Sequence, residues 1–234
     1  MRHATCPRGS PTRHPGTVYG LAPNATSLNS TEGTLMDLQT LVGESYARLA
    51  DTLEMAEPQV WDRPSLCAEW RVREVVAHVT MPARMSEQQF GAEMAAAHGD
   101  FQTMSDTVAA RDSAAPIAEH LANLRSPTLA RWQPPGGGAI GALNHAVVHG
   151  LDITNALHAP PACSPDAARA ILDSLTAGGV ASHFGVDLTG ARLQATDLNW
   201  SWGDGELVAA TSAELISLTC RRTLPNGRAM PLKN

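Results

Sequence analysis

No pair of cysteines stands at CxxC spacing, and no apolar run approaches the ~18 residues that a membrane-spanning helix needs. No continuous apolar h-region opens the chain, so a secretory signal is not expected. The four cysteines, Cys6, Cys67, Cys163 and Cys220, are scattered. A disulfide framework is therefore not expected, and a cytoplasmic protein with reduced thiols fits better. A basic excess is missing too. Lys and Arg number 17 against 23 Asp and Glu, giving a net charge of −6. A nucleic-acid binder would normally carry a basic patch or stripe. No internal repeat appears, which removes the stacked-repeat architectures. What remains is a 234-residue chain that is 43% hydrophobic. That suffices for a buried core in one large domain or two unequal ones.

Residues 1–35 differ from the rest. They hold four prolines and four glycines, with no acidic residue before Glu32. Without hydrophobic periodicity this stretch reads as disordered. Met36 opens the first periodic segment, and the expectation is that translation starts there. Residues 36–184 then read as a helical bundle and 185–234 as a small C-terminal α/β segment.

Residues 37–56 form the first expected helix, with Leu38, Leu41, Val42, Leu49 and Leu53 on one face. A turn-rich connection leads to a second helix near Arg71, where Val72, Val75, Val76 and Val79 make the apolar stripe. His78 sits at its edge, about 60° from Val75. Pro82 should end or kink that helix, and "SEQQFGAEMAAAH" should continue helically beyond it. A third helix centres on residues 115–125, with Pro116 in its first turn. "SPTLARWQPPGGG" reads as a loop. A fourth helix covers 139–157. A fifth follows with Ser164 as N-cap and Pro165 at its first position. After about residue 185, "ARLQATD", "NWSW" and "ELVAAT" are short extended runs broken by Gly203-Asp204-Gly205. Thr211 and Glu214 make a capping box for a last helix, about 212–222. The fold class is mainly α: a four-helix core, a further helix and a small α/β appendage.

The stretch "ALNHAVVHGLDITNAL" carries the chemistry. His145 and His149 stand four apart, about 40° from each other in helical projection, and Asp152 falls on the same side. Packing the second helix on the fourth would add His78. Three neutral imidazoles with open positions describe a catalytic-type divalent site, with Zn²⁺ the commonest occupant. An all-histidine set also suits Ni²⁺ or Fe²⁺. Small neighbours such as Ala142, Ala146 and Ala156 equally suit tight helix packing, so the bare HxxxH pair is a weak signal. Ala146 stands where a zinc peptidase of the HExxH type needs glutamate, which removes that reading. Asp152 either orients a ligand histidine from behind or bonds nearby backbone. His98, His120, His158 and His183 read as surface histidines. Cys67 reads as a buried inert thiol. Trp61, Trp70, Trp200 and Trp202 read as packing anchors.

Three passages carry a resemblance. "VWDRPSLCAEWRVREVVAHVT" is similar to the stretch bearing the first metal histidine of the mycothiol-dependent maleylpyruvate isomerase-like family, within the DinB-like helical-bundle superfamily. "GALNHAVVHGLDITNAL" resembles its second metal stretch. "ARLQATDLNWSWGDGELVAATSAELISLTCRR" resembles its C-terminal segment, and together they span about residues 36–222. The resemblance implies a DinB-like four-helix bundle with metal ligands His78, His145 and His149. His145 stands where the isomerase branch usually has glutamate. The resemblance also implies that Arg221 matches the family's final arginine and would hold a substrate carboxylate, with Cys220 in place of the preceding glycine. Arg71 replaces the usual Ser or Thr cap, a loss of about 0.5–2 kcal/mol.

The implied activity is thiol chemistry. Coordination deprotonates a low-molecular-weight thiol, here mycothiol, which attacks a small electrophile. Release of the thiol makes an isomerase; retention makes an S-transferase. The implied setting is an actinobacterial cytoplasm, without membrane or nucleic-acid partner, in a monomer or homodimer. Two alternatives stand beside this enzyme. One is a non-catalytic metal-binding bundle with a structural or sensing role, closed by Asp152 as fourth ligand. The other is a metal-free interaction domain with its histidines satisfied in the core.

Overall fold

The computed structural model describes residues 37–177 and 184–231. The expected N-terminal extension, Cys6 and His183 lie outside the described residues.

Helix α1, Leu38–Glu54, buries Leu41, Val42, Tyr46, Leu49 and Leu53 at the helical spacing read from the sequence. A single 3₁₀ turn, Pro58–Asp62, plants Trp61 in the core. Helix α2, Val72–Val79, is short and nearly all buried. Its cap is Arg71, and the missing Ser or Thr is offset by Glu74. The Glu74 carboxylate accepts the Arg71 backbone N–H at 2.9 Å and pairs with its guanidinium. Pro82 ends the helix as expected. The chain restarts as α3, Met81–Arg84, with the proline in its first turn, where its missing N–H costs nothing. Helix α4, Glu87–Ala96, follows a Ser86 cap.

Helix α5, Phe101–Asp112, is a correction. The sequence reading placed no helix there. Its buried positions are Met104, Ser105, Val108 and Ala109, a stripe too polar and small to stand out. Its start is marked by the Asp100 carboxylate, which accepts the Thr103 N–H at 2.7 Å. The expected third helix is the shorter α6, Ile117–Leu124, with Pro116 as N-cap. The expected loop contains α7, Pro127–Arg131, capped by Ser126. Helix α8, Gly138–Leu157, is the long central element.

The bundle is built from α1, α2, α5 and α8. Helix α1 packs along α8, and α2 lies between α5 and α8. Helix α9, Pro165–Thr176, leans on α8 behind the Ser164 cap. The C-terminal strands are β1 (Ala191–Ala195), β2 (Ser201–Trp202) and β3 (Glu206–Ala210). Their order is β2-β1-β3, with β1 antiparallel to β2 and parallel to β3. Helix α10, Ser212–Thr219, carries the expected Thr211–Glu214 capping box and packs on α8 and α9. The protein is mainly α, a helical bundle with a small α/β part, as its periodicities indicated. One continuous apolar core runs from Leu41 to Met230, so the C-terminal segment shares the bundle's core. No helix of the described residues is long and apolar enough to cross a membrane.

Candidate metal centre

Helix α2 ends one residue after His78, and its last turn faces the middle of α8. There His145 and His149 project from one side. The three ring centroids lie 5.1 Å (His78–His145), 4.8 Å (His78–His149) and 5.2 Å (His145–His149) apart, close to an equilateral triangle. One ring nitrogen from each histidine falls within 4.8 Å of the others. His78 is buried, while His145 and His149 are partly exposed. All three residues expected to gather do so.

The other nitrogen of each ring has its own partner. Ser105 Oγ lies 2.9 Å from Nδ1 of His78. Tyr46 Oη lies 3.1 Å from Nδ1 of His145. Asp152 Oδ2 lies 3.0 Å from Nδ1 of His149. With every Nδ1 engaged outward, the nitrogens left to converge are the Nε2 atoms, and those of His78 and His145 are 3.2 Å apart. Burial, then the neighbouring His149, pushes the His145 imidazole down to about 3. Burial first, then the other two rings, also holds His78 well below its usual value. Both rings are therefore neutral at physiological pH, the protonation state that a metal ligand requires.

Asp152 is completely buried and does not turn to backbone. Arg222 donates to it twice, Nε to Oδ1 at 2.7 Å and Nη2 to Oδ2 at 2.9 Å. Burial alone would raise this carboxyl. The Arg222 charge and the His149 hydrogen bond outweigh it and hold Asp152 at about 2. The row His149–Asp152–Arg222 ties the histidine on α8 to the chain just after α10.

Arg221, the arginine singled out from the sequence, is not among these partners. It takes a left-handed backbone conformation, φ +62°, at the end of α10, where the Arg222 N–H reaches back to Ser217 O at 2.9 Å. Its guanidinium lies near Gly185. The position that favours glycine is thus residue 221, and the following arginine, Arg222, reaches the site. Arg222, one residue beyond the position that the resemblance marks, is the arginine that bonds Asp152.

Three further assignments change. His120, expected at the surface, is 1% exposed and stacks on Trp61 at 5.5 Å. Trp70 is more than a packing anchor, since its ring lies 4.8 Å from His78 and 6.4 Å from His149. Trp132, unmarked in the sequence, lies 5.3 Å from His145. Ser105 and Tyr46 were also missed, because neither carries a motif. His98 and His158 are exposed as expected, and Cys67 is buried. No disulfide joins the cysteines among the described residues.

Residues 42–154 match the family model of the mycothiol maleylpyruvate isomerase N-terminal domain. The matched span contains His78, His145, His149 and Asp152; Arg222 lies beyond it. A solved structure described as "Crystal structure of the mycothiol-dependent maleylpyruvate isomerase" aligns with a TM-score of 0.42 and 12% sequence identity. The alignment covers 85% of this chain and 96% of that one. No curated protein matches the chain.

Proposed function

We propose, from the premise that residues 42–154 belong to the mycothiol maleylpyruvate isomerase N-terminal domain family, that this chain is a divalent-metal enzyme using a low-molecular-weight thiol. The thiol is mycothiol, and the substrate is a small electrophile that is either isomerised or retained as an S-conjugate. Its setting is an actinobacterial cytoplasm.

The observation that supports this reading most is the outward engagement of all three Nδ1 atoms. It leaves one Nε2 from each ring free to face a common point, a set that fits Zn²⁺ and also Ni²⁺ or Fe²⁺. When bound, such an ion lowers the pKa of a coordinated thiol and presents it as thiolate.

The chain's own residues do the remaining work. His78, His145 and His149 hold the ion. Asp152 fixes the ring of His149, and Arg222 fixes Asp152 and cancels its charge. Trp70 and Trp132 flank the rings with apolar surface. With His145 in place of the usual glutamate, the three residues that would hold the ion include no carboxylate. The catalytic part given to Arg221 rests on resemblance alone; Arg222 is the arginine that geometry ties to the site.

The alternative, a closed structural or sensing metal site, needs a fourth protein ligand. Asp152 was its candidate, and both its oxygens are already taken by Arg222 and His149. The metal-loaded protein should consume mycothiol with an electrophile such as 1-chloro-2,4-dinitrobenzene, or convert maleylpyruvate with mycothiol unchanged. Chelation should abolish either activity. A metal-loaded protein inert in both assays, with a panel of thiols and electrophiles, would favour the structural reading.

A further inference from the structure

The two hydroxyls beside the centre differ from the carboxylate beside His149, and the difference has consequences for the metal-free protein. Nε2 of His78 faces Nε2 of His145 at 3.2 Å. Two bare acceptor nitrogens would repel at that distance, so one of them carries a hydrogen and donates it to the other. The ends of this pair are Tyr46 Oη on His145 and Ser105 Oγ on His78. The four groups therefore form one chain with a direction. Tyr46 O–H donates to Nδ1 of His145, His145 Nε2–H donates to Nε2 of His78, and His78 Nδ1–H donates to Ser105. In the reverse sense Ser105 begins the chain and Tyr46 ends it. Either way both rings are neutral and every polar atom in the chain has a partner.

Ligation demands something else. Both Nε2 atoms must be bare, so both Nδ1 atoms must carry hydrogen and donate outward. One ring has to change tautomer and one hydroxyl has to turn from donor to acceptor. A hydroxyl can do this by rotating, because it offers one O–H and two lone pairs. Tyr46 is 1% exposed and Ser105 2%, so no solvent stands ready to replace either one.

Resting on the metal reading above, we propose that Tyr46 and Ser105 are positioning residues that set the tautomers of His145 and His78. They keep the metal-free centre assembled, and they accept the Nδ1 hydrogens when the ion enters. The phenol on α1 faces Nδ1 of His145 and sets its tautomer. Tyr46→Phe keeps the buried ring and removes only the oxygen. The variant's lowest-cost state then has hydrogen on Nε2 of His145, pointing at His78 and blocking the ligand nitrogen.

The test titrates Co²⁺ into parent, Tyr46→Phe and Ser105→Ala proteins. Affinity is read from the visible cobalt bands against a competing chelator, and ring tautomers from ¹⁵N shifts of the metal-free proteins. We expect Tyr46→Phe to weaken Co²⁺ binding about 10–100-fold at unchanged helix content, with the His145 signals of the metal-free variant in the Nε2–H form. Ser105→Ala should do the same through His78. Equal Co²⁺ affinity in parent and Tyr46→Phe would overturn the inference and leave the metal reading standing. A parent protein that takes up no Co²⁺ would overturn the metal reading and this inference with it.

Discussion

Three histidines meet at one point because three different residues hold them from behind: a serine, a tyrosine and an aspartate. At the scale of the residue this fixes two measurable properties. The first is pH dependence without metal. His78 and His145 are held below the ordinary histidine value of about 6.5 in the folded state. Below that pH the unfolded chain binds protons that the folded chain refuses. Stability is therefore full above about pH 6.5 and falls as pH drops toward the depressed folded values. The urea midpoint of metal-free protein should drop between pH 7.5 and pH 5.5, and a flat midpoint would contradict the buried neutral rings. The second is the cost of breaking the buried pair. Arg222→Ala strands the Asp152 carboxylate and should cost about 3–5 kcal/mol in urea unfolding. An effect under about 1 kcal/mol would place Arg222 outside the core network. The sequence showed the three histidines and Asp152 because they recur at helical spacing on α8 and at the edge of a valine stripe. Ser105, Tyr46 and Trp132 come from three other elements, and no spacing rule links them to α8.

At the scale of the element, legibility followed the strength of the local signal. Helices α1, α8 and α9 and the capping box of α10 are written in apolar periodicity and cap residues, and they stand within a few residues of their expected bounds. Helix α5 was invisible because its buried face, Met104, Ser105, Val108 and Ala109, makes too short and mixed a stripe. What makes it helical is Asp100 at its start and packing against α2. The strands were legible as extended runs, but their order was not. A parallel pairing of β1 with β3, with β2 on the far side, leaves no trace in a single run's alternation. The glycines reveal it afterwards. A Cβ on Gly205 would lie 1.8 Å from Gly190 O, and one on Gly203 2.2 Å from Ala191 O. The chain must pass that close to cross from β2 to β3. Gly205→Ala should lower stability by about 2–3 kcal/mol, read from thermal unfolding. An unchanged midpoint would mean that the crossing has room that the backbone does not show.

At the scale of the whole molecule, bundle and C-terminal segment act as one unit. The main apolar cluster runs through both, and Arg222 reaches back from the end of α10 to the aspartate that holds a histidine on α8. The sequence suggested the two segments as separate pieces because composition and periodicity change near residue 185. Besides the shared core, side chains such as Arg222 on Asp152, Asn155 on Ser217 and Trp200 on Asp173 couple them, and no local pattern in the sequence marks such pairs. The function proposed for this chain requires that the triangle of imidazoles bind a divalent ion. The most direct measurement is elemental analysis of the purified protein and of its His149→Ala variant. About one equivalent of zinc, nickel or iron per chain, lost in the variant at unchanged helix content, is the predicted result. Metal-free parent protein that also fails to take up added Zn²⁺ would contradict it, and the three histidines would then be packing residues of the bundle.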